Sequence, residues 1–498
     1  MTVSDRTPVL VGAATAAQRF DDPSKASEAV ALMAQALVAA ADDAGAGRLL
    51  GRLDQVRVTK GTWGYSDPAR WVAEAVGATR ARSHLADVGI LQTAVMGDAA
   101  AAIASGTADV VAVVGGEAKH RALRASITGK DAPDTDQGGV EPDELVTPQG
   151  MIISRAEIDK GLVMATHHYA MIENARRFAD GQTIEEHRAE VSNLWARFAQ
   201  VAAANPDAWF RDGLDAAAIA TPANGNRMLA WPYTKWHNSQ WNVDQAGALI
   251  FCSAGTARAL GVPANRWVFP WAAAESNHVV AVTERPELHR SPGFAHAGRA
   301  LADHTGVAPN EMDHVDLYSC FPIAVRTQAL ELGIDIAGER SPTVTGGMTW
   351  AGGPLNNYVI QAAVKLAQVL RADPGSTGLL TSISGMITKQ GVSAWSTEPP
   401  SQPFANLDVT RTVAGELRPK PYRVGEGEGE GEQATVVSYT VIWGREGPER
   451  AVVIGEFADG ARTLLVSSIP TVMAAAVAGE FCGRFVVAAG DGSFMPID

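Results

Sequence analysis

Thr343-Val-Thr-Gly-Gly-Met-Thr-Trp-Ala-Gly-Gly-Pro-Leu-Asn-Asn-Tyr-Val359 is the stretch whose reading decides the fold. It holds glycine pairs at Gly346/Gly347 and Gly352/Gly353, then a proline, then two amides that open a helical pattern. Glycine lets a backbone approach a ligand closely, and a helix N-terminus presents unpaired N–H groups to an anion or a developing oxyanion. A tight turn between a strand and a helix would use the same residues, so the flanking chain must discriminate.

Working outward, residues 355–371 continue a helical period, and 378–384 and 392–396 read as strands. Upstream, 314–319 read as a strand ending in Cys320-Phe321-Pro322, with a helix after the proline. Residues 292–304 and 254–260 are helical, and 267–274 and 245–252 are strands. The N-terminal part keeps the same rhythm, with strands at 8–14, 54–60, 83–88 and 109–114 and helices at 24–43, 68–76 and 94–104. Such alternation predicts a parallel sheet covered by helices, built twice. Residues 119–242 break the rhythm with a polar loop at 129–150, helices near 154–178 and 184–203, and a loop carrying Trp231, Tyr233, Trp236 and Trp241. We read them as an insertion over the first sheet. The Glu/Gly alternation at 426–432 predicts a solvated, flexible hinge, and short strands with Gly/Pro/Asp turns from 435 onward predict a small β-barrel. The expected units are 1–118, 119–243, 244–400, a linker 401–433 and a barrel 434–498.

A chain of 498 residues needs more than one core. Its 46% hydrophobic and 19% charged content is that of a globular protein, and a net charge of −14 argues against a nucleic-acid partner. Three widely spaced cysteines, Cys252, Cys320 and Cys482, suit a reducing cytoplasm and exclude a disulfide framework. No Cys/His group has zinc-ligand spacing, so no metal is expected. The polar N-terminus and the absence of a long apolar run predict no membrane span and a cytoplasmic location.

Over residues 8–398 the chain resembles the thiolase superfamily, and most of all its sterol-carrier and lipid-transfer type. Gly106-Thr-Ala-Asp-Val-Val-Ala-Val-Val-Gly-Gly-Glu-Ala118 resembles the family's strand and Gly-Gly-x-Glu turn. Asp316-Leu-Tyr-Ser-Cys-Phe321 resembles its His-Asp-Cys-Phe or Asn-Glu-Ala-Phe segment, and 345–354 its Gly-Gly … Gly-His-Pro loop. The C-terminal segment resembles OB-type domains that accompany thiolase-like proteins. The fold class implied is α/β: a duplicated thiolase fold, two βαβαβαββ halves in layers, plus a small OB-type barrel. The ligand class implied is a coenzyme A thioester, with no further cofactor. The resemblance also implies a dimer formed through the strand at 83–88, but Asp87 on that strand discourages edge pairing, which makes a monomer credible.

The family's chemistry needs a cysteine nucleophile at a helix start, a histidine to activate it, a second cysteine as acid and base, and an oxyanion site. The sequence departs at each. Gly89-Ile-Leu-Gln-Thr-Ala94 has no cysteine, Gly353 stands where the loop histidine would be, Tyr318 replaces the Asn or His, and Ser382-Ile-Ser-Gly385 has no thiol. A Claisen reaction through a cysteinyl acyl-enzyme is not expected.

Tyr318 and Tyr358 are the catalytic candidates, since a phenol donates a hydrogen bond or transfers a proton; each could instead only fill space. Gly347, Trp350, Gly353, Asn356 and Ser382 are expected to line an acyl-thioester pocket, with helix capping the alternative for Asn356 and Asn357. Arg227, Lys235 and Trp236 fall where relatives bind the nucleotide end of coenzyme A: cations for phosphates, an aromatic for adenine, or equally a solvated loop with core aromatics. Cys252 and Cys320 read as packing, and His237 and His278 as structural. Three functions are carried forward: an acyl-CoA-binding protein of lipid metabolism with the catalytic set lost, a retro-aldolase acting on a 3-hydroxyacyl-CoA, and an acyltransferase of acetyl-CoA acetyltransferase type using Cys320.

Overall fold

The first strand, Pro8–Ala17, is a Val/Leu/Ala run buried over most of its length, and it pairs antiparallel with the fully buried Asp244–Ser253. The computed structural model describes residues 3–423 and 429–497. Asp244–Ser253 pairs antiparallel with Val110–Ala118, which pairs parallel with Gln55–Thr59. The second half repeats this order and these senses. Phe269–Ser276 pairs antiparallel with Lys389–Ser396, which pairs antiparallel with Thr377–Ser384, which pairs parallel with His314–Asp316. Two copies of one topology are therefore present. The sheets are mixed rather than purely parallel, because residues 385–388 join the last two strands of the second half by a tight turn that forces an antiparallel pair.

Two helices, Gln92–Ser105 and Tyr358–Ala372, lie between the sheets and pack on both. They are apolar nearly all round, as a doubly covered helix must be. Ala29–Asp43 covers the outer face of the first sheet and Pro292–Thr305 that of the second, giving five layers. The mixed α/β architecture is that expected from the sequence.

The insertion does more than lie over a sheet. Its polar loop contributes Glu144–Val146, which pairs parallel with the edge strand Arg82–Ala86, and the neighbouring Asp143 carboxylate accepts from Ser83 N–H at 2.8 Å. The predicted helix 154–178 is broken into Arg155–Asp159 and Ala165–Ala179, whereas Ile184–Ala204 matches its predicted position and opens on a Thr183/Glu186 capping box. The expected linker is partly built: Ala405–Asp408 adds an edge strand to the second sheet and Thr410–Glu416 is helical. Residues 424–428, at the predicted hinge, lie outside the described residues.

The C-terminal strands Gln433–Trp443, Pro448–Phe457, Arg462–Ser467, Phe485–Ala488 and Phe494–Pro496 run in the order three-two-one-four-five. A bridge between Val466 and Ser493 returns the fifth strand to the third, and the helix Pro470–Ala478 sits between the third and fourth. This small barrel is sutured to the insertion. Ile442 pairs with Ala230, Asn174 Nδ2 donates to Tyr439 O at 2.9 Å, and Arg177 donates to Tyr439 Oη at 3.1 Å and to Glu480 at 2.8 Å. Among the described residues no helix is long and apolar enough to cross a membrane.

Candidate functional site

The two central helices start side by side, and neither has a side-chain cap. Uncapped starts leave N–H groups in want of acceptors. Gln92 Nε2 donates to Asn356 Oδ1 at 2.7 Å, and Asn356 Nδ2 donates to Lys60 O at 3.1 Å. Asn356 holds this position in a left-handed conformation, φ 56°. Thr93 Oγ1 lies 2.5 Å from Ser382 Oγ, which ties the first turn of one central helix to the second sheet. Asn357 and Thr59 share the space left by the missing side chain of Gly115. Gln92 Oε1, Thr59 Oγ1 and both polar atoms of Asn357 are buried without a hydrogen-bond partner among the described residues. Four such atoms in one place call for a ligand or a water, because an orphaned buried polar atom costs about 1–3 kcal/mol.

The glycine-rich stretch has a different role from the one expected. A Cβ on Gly346 would lie 2.4 Å from Ala202 Cβ, and one on Gly347 would lie 2.5 Å from Phe198 Cδ1. Both glycines have positive φ, 97° and 78°. They let the helix Ile184–Ala204 press onto the loop, so Gly347 meets protein and not an open pocket. Trp350 is likewise buried, stacked at 5.1 Å on Trp236, while Trp195 Nε1 donates to Thr349 Oγ1 at 3.1 Å. A Cβ on Gly353 would sit 1.9 Å from Ser239 Oγ. A side chain here would require the Ser239 hydroxyl to move, so Gly353 packs against Ser239.

Tyr358 is spoken for. Its hydroxyl donates to Asp316 Oδ1 at 2.8 Å and lies 2.6 Å from Thr345 Oγ1. Asp316 Oδ2 also accepts from Val344 N–H and from the hydroxyls of Thr343 and Thr345. The pair anchors the glycine loop, which makes Tyr358 a positioning residue. Tyr318 packs edge-on against Tyr358 with ring centroids 6.0 Å apart, and its N–H donates to Thr381 Oγ1 at 2.8 Å. Among the described residues its hydroxyl has no side-chain partner, and burial pushes that phenol well up, so it stays protonated. Cys320 is buried and its thiol is pushed up to about 12 by burial; Cys252 is pushed up to about 12 for the same reason. Neither is a thiolate at neutral pH.

Lys235 Nζ lies 4.8 Å from the Trp236 ring centroid, a cation–π contact at the rim of the same aromatic stack. Arg227 is exposed and reaches away toward the barrel, its guanidinium donating to Gly444 O at 3.3 Å. The three residues do not point into one site.

No protein-family model matches the sequence, and no curated protein does. Solved structures do. A monomeric SCP2-thiolase-like protein type 1 from Mycobacterium smegmatis superposes with a TM-score of 0.82 at 24% identity, covering 100% of both chains. The Ltp2-ChsH2(DUF35) aldolase superposes with a TM-score of 0.59 at 19% identity, over 79% of this chain and 98% of that one. Acetyl-CoA acetyltransferase from Syntrophomonas wolfei does so with a TM-score of 0.57 at 17% identity, over 79% and 99%. The fold is that of the thiolases.

Within the thiolase fold, the start of the helix Gln92–Ser105 carries the Gln92 and Thr93 side chains where the sequence comparison looked for a thiol. Sequence reasoning missed Gln92, Thr93, Thr59 and Ser239, whereas Asn357 was read there together with Asn356, as a helix cap or as an amide for a thioester carbonyl. Gln92 and Thr93 lay inside a segment already singled out for its missing cysteine. Thr59 and Ser239 carry no sequence signal. The edge strand through which the resemblance predicted a thiolase-type dimer is covered in cis by Glu144–Val146.

Proposed function

We propose that the chain binds acyl-coenzyme A thioesters at the paired starts of its central helices and does not perform cysteine-dependent Claisen chemistry. The observation that supports this is the cluster of orphaned amide and hydroxyl groups on Gln92, Asn357 and Thr59, at a place where no thiol or histidine stands. Neutral amides and helix N–H groups suit a thioester carbonyl and the amides of a pantetheine arm. Lys235 on Trp236 is the candidate for the nucleotide end. Ser382 and Asn356 line the thioester end, whereas Gly347, Trp350 and Gly353 shape it from behind. The covered edge strand supports a monomer, and a role in lipid metabolism is proposed on the thiolase fold alone. Isothermal titration with coenzyme A, acetyl-CoA and a longer acyl-CoA tests the reading. Asn357→Ala should weaken binding at least tenfold, and no heat with any of the three would overturn it.

A second reading, retro-aldol cleavage of a 3-hydroxyacyl-CoA, is favoured by the unpartnered hydroxyl of Tyr318 and by the fold shared with an aldolase. The C2–C3 bond would break, its electrons passing to the thioester enolate while the 3-hydroxyl loses its proton to a base. A phenol held protonated can donate to the enolate oxygen or return a proton to C2, but it cannot be that base. Turnover of a 3-hydroxyacyl-CoA that is unchanged in Tyr318→Phe removes Tyr318 from the mechanism.

A further inference from the structure

A second cavity lies between the insertion helices and the hairpin 228–234, away from the helix starts. It is a partly open pocket whose empty space, open solvent included, is about 520 Å³, with Val191, Met228 and Trp231 among its apolar walls. Its polar groups are mostly neutralised. His187 Nε2 and Tyr233 Oη are both held by the buried Glu173 carboxylate, at 2.9 and 2.6 Å. Arg177, fully buried, is paired with Glu480 at 2.8 Å. His237 is pushed down to about 3 by burial and is neutral. Arg188 differs: it lines the cavity, is exposed, and forms no ion pair among the described residues. No aspartate or glutamate lines the cavity. Two further donors of the wall, Trp231 Nε1 and Arg177 Nε, find no acceptor among the described residues.

We infer that this cavity is a binding site for an amphipathic anion, its apolar body against the cavity walls and its acidic head at the Arg188 guanidinium. The reasoning is charge complementarity in a chain of net charge −14: an apolar interior, unused donors, one free cation at the mouth and no carboxylate to repel the head. None of the groups proposed for the thioester site lines it, so the two sites are independent.

Titration calorimetry on the full chain with decanoate, decyl phosphate, decanol and butyrate tests the site. The anions of ten carbons should bind at least tenfold more tightly than decanol, and butyrate should not bind. The ranking of decanoate and decyl phosphate identifies the head group. Arg188→Ala, a surface change, should bring decanoate to the level of decanol. Val191→Trp should abolish decanoate binding while acetyl-CoA binding in the same sample stays at the wild-type level. Decanol binding as tightly as decanoate, or decanoate binding untouched by Arg188→Ala, would overturn the inference.

Discussion

Thr93 and Ser382 share a hydrogen bond of 2.5 Å between their side-chain oxygens, one at the start of a central helix and the other on a strand of the second sheet. Each oxygen is buried and satisfied by the other. The helix start is thus closed by a neutral contact where the thiolase resemblance would place reactive sulfur. Installing a thiol alone should not create thiolase chemistry, because Gly353 stands where the loop histidine that would activate it is expected. The Thr93→Cys variant should cleave acetoacetyl-CoA with coenzyme A no faster than about twice the uncatalysed rate. A thiolytic burst would show that some other group activates the thiol.

Gly353 and Ser239 make the missing histidine a matter of space. A Cβ 1.9 Å from Ser239 Oγ cannot be accommodated without movement. Gly353→Ala should destabilise by about 1–3 kcal/mol. Ser239→Gly in the same chain should recover most of the loss, because the two changes share one contact. Thermal unfolding of the four combinations measures the coupling, and additive losses would contradict the clash.

Tyr358 and Tyr318 should part company on the same assay. Tyr358→Phe removes the donor to a fully buried Asp316 and should cost about 1–3 kcal/mol in chemical denaturation. Tyr318→Phe deletes a hydroxyl without a side-chain partner and should change stability by less than about 0.5 kcal/mol. Equal losses would mean that the phenol of Tyr318 has a structural partner.

Much of the fold was legible because local signals carried it. Residues 254–260 were read as helical, and Ala254–Leu260 is a helix; the strand read at 109–114 overlaps all but its first residue with Val110–Ala118. Apolar period and flanking turn residues suffice for such elements. The glycine pairs were legible as close-approach positions but not as to what approaches. Ala202 and Phe198 lie far along the chain from Gly346 and Gly347, and no local pattern names them. The Thr93–Ser382 contact spans the two halves in the same way. Glu144–Val146 was invisible as a strand because three residues in a polar loop have no period; only the unfilled edge of Arg82–Ala86 gives them a partner.

That covered edge predicts the oligomeric state. Asp143 fastens the short strand by accepting from Ser83 N–H and from Arg70 at 2.5 Å. The wild type should run as a monomer in light scattering. Asp143→Ala loosens the cover, and residual N–H and C=O groups on Arg82–Ala86 then become available for pairing. A concentration-dependent dimer fraction is expected in that variant only. A wild-type dimer at micromolar concentration would show that association uses another face.

Glu275 gives the pH dependence a testable sign. Burial raises its carboxyl from the usual 4.5 to about 7, and the charges of Asp98 and Asp408 push the same way against Asn277 and Lys389. Because the folded pKa lies above the unfolded one, the native state holds the extra proton between pH 4.5 and 7. The stability from that proton is full below pH 4.5 and lost as pH rises through about 7. Glu275→Gln keeps the shape and the bond from Asn277 Nδ2, 3.0 Å long in the wild type, to an oxygen that never ionises. Its melting temperature should therefore match the wild type near pH 5 and exceed it increasingly toward pH 8. A constant difference across that range would place the Glu275 carboxylate in a solvated setting, with its ordinary affinity for protons.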